Sequence, residues 1–310
     1  MKRKNFKSIA GLTLIEILIG VVVSSIMMAA IYTTYSIVNT TYSQVLEKAK
    51  VSRSSRDIIE LLIRDTRMAG FKYYLGDNDR GLPKESYLEF VGGASSIKES
   101  HDPIVIIPQQ LGHSIEDTIP TPPQKHNLLD SCCDKIHIVY DDFNQNDDTQ
   151  PYKRYKLTYF ARPLSDTDRD GNIINQRYGI YKSKISWEQD IGQEEGEWVS
   201  DCSECYHNEL IRDYVEDMEF IALDKDGKVL TPYPNTLTEE SRRNLYKIRA
   251  IDIRIAFISE KPFFRFESRQ GKERQLTGFS RTPRSFSDRN LRDNVVVTVY
   301  TRNIVGQDIF

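Results

Sequence analysis

No proline occurs before Pro83 in this chain of 310 residues. Nothing ahead of it breaks a helix by losing a backbone donor or clashing with the preceding turn. Histidine is scarce. His101, His113, His126, His137 and His207 show no His-Glu-x-x-His spacing, which leaves out the helical zinc-hydrolase pattern. Gly-x-Ser-x-Gly and phosphate-cradling glycine loops are missing too, so no catalytic set is visible and a non-enzymatic role is expected. Positive charge is not in excess. The formal net charge is −3, which gives no general attraction to nucleic acid. Internal repeats and low-complexity tracts are also lacking.

Long apolar runs are missing as well, except for one. From Leu12 to about Tyr35 the sequence is apolar but for a few small hydroxyl residues and one carboxylate, Glu16. As a helix this segment is about 36 Å long at ~1.5 Å per residue, enough to cross a hydrocarbon core of about 30 Å. Lys2, Arg3, Lys4 and Lys7 precede it without an acidic residue. The positive-inside rule keeps that end in the cytoplasm and puts the remainder outside. Glu16 has two readings. A carboxylate inside a membrane helix costs a few kcal/mol unless paired, which makes it a functional candidate. The alternative is a helix-start acid facing the N-terminal dipole.

The apolar stripe continues at helical spacing through Val38, Tyr42, Val45 and Ala49, then Ile59, Leu62 and Ala69. A single helix is expected over about Leu12–Ala69, membrane-spanning in 12–35 and amphipathic in 36–70. Arg64 and Arg67 suit its negative end, and Gly70 is a stop residue.

The string Ala10-Gly11-Leu12-Thr13-Leu14-Ile15-Glu16 behind a basic leader resembles the class III signal of type IV prepilins and type II secretion pseudopilins. The resemblance implies cleavage between Gly11 and Leu12 by a prepilin peptidase and removal of leader 1–11. It also implies N-methylation of Leu12 and pairing of Glu16 with the amine of a neighbouring subunit. Loss of four cations would leave the mature chain near −7. Arg64-Asp65-Thr66-Arg67-Met68-Ala69-Gly70-Phe71 resembles the end of the first helix in PilW-type minor pilins. Val215–Phe220 with Asp224–Gly227, Arg249–Ile255 and Thr298–Asn303 are similar to that family's later strands and acidic turn.

After Gly70 the pattern turns to short strands. They are expected at Tyr87–Val91, Ile104–Ile107, Lys135–Tyr140, Tyr152–Phe160, Tyr178–Lys182, Tyr214–Ala222, Arg249–Ile258 and Asn294–Thr301. Ile251, Ile253, Ile255 and Phe257 alternate with Asp252 and Arg254, and Asp226-Gly227 signals a tight turn. The expected fold class is α+β: a long N-terminal helix packed on an antiparallel sheet in 71–310, with insertions around 76–209.

Three further clusters carry chemistry. Asp166, Asp168, Asp170 and Asn172 flank Gly171 with hard oxygen ligands that suit Ca²⁺. The twelfth position is Arg177, so a remote acid would complete the set; a solvated hairpin loop is the alternative. Asp141-Asp142 with Asp147-Asp148 is a second, weaker acidic pair. Cys132, Cys133, Cys202 and Cys205 form an even, clustered set, which favours disulfides outside the cytoplasm. Bridges between the two clusters are expected, with a four-thiolate zinc site as the alternative. Between Arg265 and Arg292, eight basic residues face three acidic ones among interleaved phenylalanines. That pattern fits a solvated loop or a nucleic-acid surface.

The expectation is a minor pilin, in or at the tip of a type IV pilus, priming or supporting assembly. It sits in the inner membrane with an extracytoplasmic domain before entering the fibre. Its implied partners are other minor pilins, the major pilin, the prepilin peptidase and the inner-membrane platform. A J-type minor pseudopilin of type II secretion and a membrane-anchored adhesin or binding protein are the alternatives.

Overall fold

A computed structural model describes residues 13–71, 102–108, 132–143, 152–167, 173–188, 197–231, 234, 238–264, 273–279 and 283–304. The expected strand Tyr87–Val91 lies outside them. The chain forms two compact units, up to Ala49 and from Lys50 onward.

One helix, α1 (Leu14–Met68), runs through both. Its serine and threonine hydroxyls do not compete with the helix. Ser24 Oγ donates to Gly20 O, Ser25 Oγ to Val22 O, and Thr34 Oγ1 to Ala30 O, so each is satisfied on its own helix without water. In the first unit the large apolar side chains from Leu14 to Leu46 are exposed. This helix is long and apolar enough to cross a membrane.

In the second unit the helix becomes one-sided. Val51, Ile58, Ile59, Leu62 and Ala69 are buried, at a spacing that makes one stripe. The helix ends as expected. Gly70 takes φ 73°, and its N–H donates to Val139 O, a left-handed closure that favours glycine.

The stripe packs on an antiparallel sheet. Its strands are β1 (Ile104–Ile107), β2 (Lys135–Phe143), β3 (Tyr152–Thr167), β4 (Ile173–Glu188), β5 (Glu197–Val199), β6 (Tyr206–Leu223), β7 (Ala250–Ile258) and β10 (Arg292–Tyr300). The order is β1-β2-β3-β4-β6-β7-β10, with β5 on β4. A separate ribbon pairs β8 (Arg274–Leu276) with β9 (Arg284–Phe286). The short helix α2 (Glu239–Leu245) is capped by Thr238 and tied down where Arg242 and Tyr246 meet buried Asp102.

The helix-facing sheet side carries Ile136, Ile138, Leu157, Tyr159, Ile180, Met218, Phe220, Ile251, Ile253 and Ile255, all buried with the α1 stripe. The α+β class is thus as expected. The opposite face also holds a buried charge. Arg254, in register with Glu219, is 1% exposed. The β8–β9 region covers it there: Phe279 N–H donates to Glu219 Oε2, and Arg284 Nη2 donates to Glu216 O.

Candidate functional site

Gly11 and Leu12 lie outside the described residues. Glu16 lies in the first turn of α1. Its Oε2 accepts from Thr13 N at 2.9 Å and from Thr13 Oγ1 at 2.8 Å, while Glu16 N donates to Thr13 Oγ1 at 3.4 Å. This is a reciprocal capping box, Thr at the cap and Glu three residues on. It turns the carboxylate back along the helix toward the amino end. Within the chain it closes the helix start, which is the helix-start reading of Glu16.

The calcium reading falls on the β3–β4 hairpin. Asp166 is in register with Asn175, and Thr167 with Ile173. Asp168, Asp170 and Asn172 lie outside the described residues. The second acidic pair is corrected in part. Asp141 is 1% exposed and holds Arg154 in a two-pronged ion pair at 2.7 and 3.1 Å, so both its oxygens face one guanidinium. Asp147 and Asp148 lie outside the described residues.

All four cysteines are bridged, but not between the clusters as expected. Cys132 pairs with Cys133, and Cys202 with Cys205, with Cα–Cα distances of 3.5 and 4.9 Å. The reason is local. Cys202–Cys205 closes a turn in which Cys205 N–H donates to Cys202 O. Cys132 and Cys133 enter β2 through Asp134, whose N–H donates to Met218 O and whose carboxylate accepts from Phe220 N.

Of the basic stretch, Arg274, Arg284, Arg289 and Arg292 lie among the described residues. Arg292 reaches Asp288 at 2.7 Å and Glu216 at 3.3 Å, and Arg284 reaches Asp217 at 3.6 Å. Arg274 lies over Phe264 and donates to Asp288 O. Arg284 and Arg292 thus serve carboxylates of β6 and Asp288, while Arg274 serves the Asp288 carbonyl. Burial still raises the Glu216 carboxyl above its usual range, against the pull of Arg292 and Arg284.

One buried cluster went unforeseen. Asp65, on α1, is 5% exposed. Its Oδ2 accepts from Tyr159 OH at 2.5 Å and from Lys182 Nζ at 2.7 Å, and Arg64 Nε sits 3.1 Å from Oδ1. Burial first, then the Asp65 charge, pushes the Tyr159 phenol far above its ordinary value. The signal was present in the sequence: Asp65 stands three residues after Leu62 and four before Ala69, inside the buried stripe. A second charged centre joins Arg254 to Asp217 at 2.8 Å and to Glu219 at 3.2 Å. Each buried charge here is paired, as burial demands.

No family model matches the chain, and no curated protein matches it. Among solved structures it is similar to a type IV-like pilin, TTHA1219 from Thermus thermophilus. The identity is 11%, over 82% of this chain and 98% of that chain, with a TM-score of 0.36.

The fold itself is α+β. One long helix, apolar and exposed in its first part, continues into a stripe that packs on an antiparallel sheet.

Proposed function

We propose that the chain is a non-catalytic minor pilin of a type IV pilus, anchored in the inner membrane by α1 before it enters the fibre or its tip. One observation carries the reading: α1 is a continuous 55-residue helix whose first part exposes its apolar side chains, directly behind a sequence that resembles a class III prepilin signal. A helix apolar on every side needs lipid or other helices around it. Packing of equivalent helices in a fibre core supplies the second. The proposed partners are the major pilin, other minor pilins, the prepilin peptidase and the assembly platform.

The proposed role of Glu16 follows from its capping geometry. Its carboxylate is aimed along the helix toward the amino end, where an incoming subunit would present its methylated Leu12 amine. The proposed Ca²⁺ site at Asp166, Asp168, Asp170 and Asn172 is a separate matter and is tested by chelation of the melting protein.

Intact-mass measurement of the protein from its native host tests the processing. Residues 1–11 should be gone and Leu12 should carry one added methyl group. Sheared fibres should contain the processed chain. A chain that retains Met1, or one confined to the membrane and absent from sheared fibres, overturns the assembly role.

A further inference from the structure

The Cys132–Cys133 bridge is a poor staple. A disulfide gains most where it closes a long loop, and adjacent residues close the shortest one possible. Their Cα atoms are 3.5 Å apart, shorter than the roughly 4.4–6.8 Å usual for bridged cysteines. Cys133 is also held at φ 125°, a conformation that side chains rarely adopt. The environment shows what the position offers instead of stability. Both sulfurs and a carboxylate oxygen of Asp217 lie within 4.8 Å of one another. Asp217 is 2% exposed, while the cysteines are half-buried.

We propose that Cys132, Cys133 and Asp217 form a thiol-gated site for a soft divalent cation of the zinc and cadmium class. As a disulfide the site is closed. Opening it takes two electrons and two protons, delivered by thiol–disulfide exchange with a dithiol, which leaves as a disulfide. The cation then displaces the two thiol protons to solvent and takes two thiolates and the carboxylate as ligands, with a fourth position left for water. Thiolate donors select zinc and cadmium over calcium and magnesium.

The charge balance suits a divalent ion. Asp217 is already paired: Oδ2 meets Arg254 Nη1 at 2.8 Å, and Oδ1 accepts from Met218 N at 3.0 Å. Two new thiolates cancel a 2+ ion, so this buried corner gains no net charge. Arg254 also keeps Glu219, 3.2 Å away. Backbone bonds hold the ligands' mounts: Asp134 fixes the start of β2 against β6 through Met218 O and Phe220 N. Asp217 and the cysteines are thus brought together by the same short stretch of pairing. The proposal stands apart from the assembly reading and does not need it.

The test uses the full-length chain in detergent. Both bridges are reduced with dithiothreitol, the reductant is removed without air, and Cd²⁺ is added before alkylation with iodoacetamide and peptide mapping. Cadmium should abolish labelling of Cys132 and Cys133 at a lower concentration than it protects Cys202 and Cys205, a dithiol with no carboxylate ligand assigned to it. Mg²⁺ should protect none of them. In Asp217→Asn the protecting Cd²⁺ concentration should rise about tenfold or more, the lower end of what loss of a metal-site partner costs. Should that variant fail to fold, the wild-type labelling pattern decides. Equal labelling of Cys132 and Cys133 with and without Cd²⁺, protection of Cys202 and Cys205 alone, or unchanged protection in folded Asp217→Asn overturns the site.

Discussion

Asp65 shows how one charge can fix where a helix sits on a sheet. It is buried on α1 and receives Tyr159 from β3 and Lys182 from β4. Removing one partner leaves the others, so the effects should rank by charge. Lys182→Met removes the buried cation and leaves Asp65 with the largely exposed Arg64. The expected loss is about 3 kcal/mol, the low end for a broken buried pair. Tyr159→Phe removes one hydrogen bond and should cost about 1–2 kcal/mol. Urea unfolding of both variants checks the order; a larger loss for Tyr159→Phe would refute it. Asp65 was readable from its place in the stripe. Its partners were not, because alternation in β3 and β4 assigns faces and not cross-sheet neighbours. The cysteines make the same point. Their number and clustering imply bridges, yet which thiols meet depends on the path taken between Asp134 and β6, and spacing does not encode that path. The burial of Arg254 was not legible for a related reason. Alternation sets it on the other face from Ile253 and Ile255, and the residues that bond its partners there, Phe279 to Glu219 and Arg284 to Asp217, lie far along the chain.

At the scale of elements, polar strands hide their ends. An apolar core marked Tyr178–Lys182, yet β4 extends over Ile173–Glu188 because its flanks stay in register with β3. Turns were more legible, since their chemistry is local. Gly70 is one. At φ 73°, an added Cβ would lie 3.1 Å from Ile304 Cγ1 and 3.2 Å from Pro103 Cβ. Gly70→Ala should therefore cost at least about 1–2 kcal/mol from backbone strain alone, read as a lower urea midpoint; an unchanged midpoint would be inconsistent with this closure. The turn after β6 is another. Asp224 accepts from Lys228 N at 2.9 Å and from Asp226 N at 2.8 Å. The Lys228 bond is the main cause that holds its carboxyl below the usual range. A depressed folded value contributes stability above the unfolded carboxylate pKa, and that stability is lost as pH falls through the folded value. Amide exchange at Asp226 and Lys228 should thus be slow at neutral pH, allowing for intrinsic rates, and lose protection only at acid pH below the ordinary Asp range. Protection that survives full protonation would show that the backbone holds the turn without Asp224.

For the whole molecule, the question is what the first part of α1 is built to touch. Within the single chain, Gly20 has nothing within 4 Å of where a Cβ would be. Among the described residues no contact requires it, and a mid-helix glycine costs about 1 kcal/mol relative to alanine. Small residues let neighbouring helices approach closely in an apolar medium, where packing rather than hydrophobicity drives association. If α1 packs against other subunits, Gly20 is a place where that approach would be felt. On the proposed pilin reading, Gly20→Ala should leave the folded domain, the proposed membrane insertion and the proposed cleavage at Gly11 unchanged, since the added methyl meets nothing within 4 Å among the described residues. Its expected effect is confined to assembly: the processed subunit stays in the membrane and falls in sheared fibres relative to wild type. The bulkier Gly20→Leu should fall further. Quantitative immunoblotting of membrane and fibre fractions separates the outcomes. Wild-type fibre levels for both variants would show that no neighbour approaches α1 at Gly20, and would move the assembly contact toward Glu16 and the helix start. A loss of the membrane-bound pool itself would instead mean that the glycine serves folding or insertion, contrary to the open space around it.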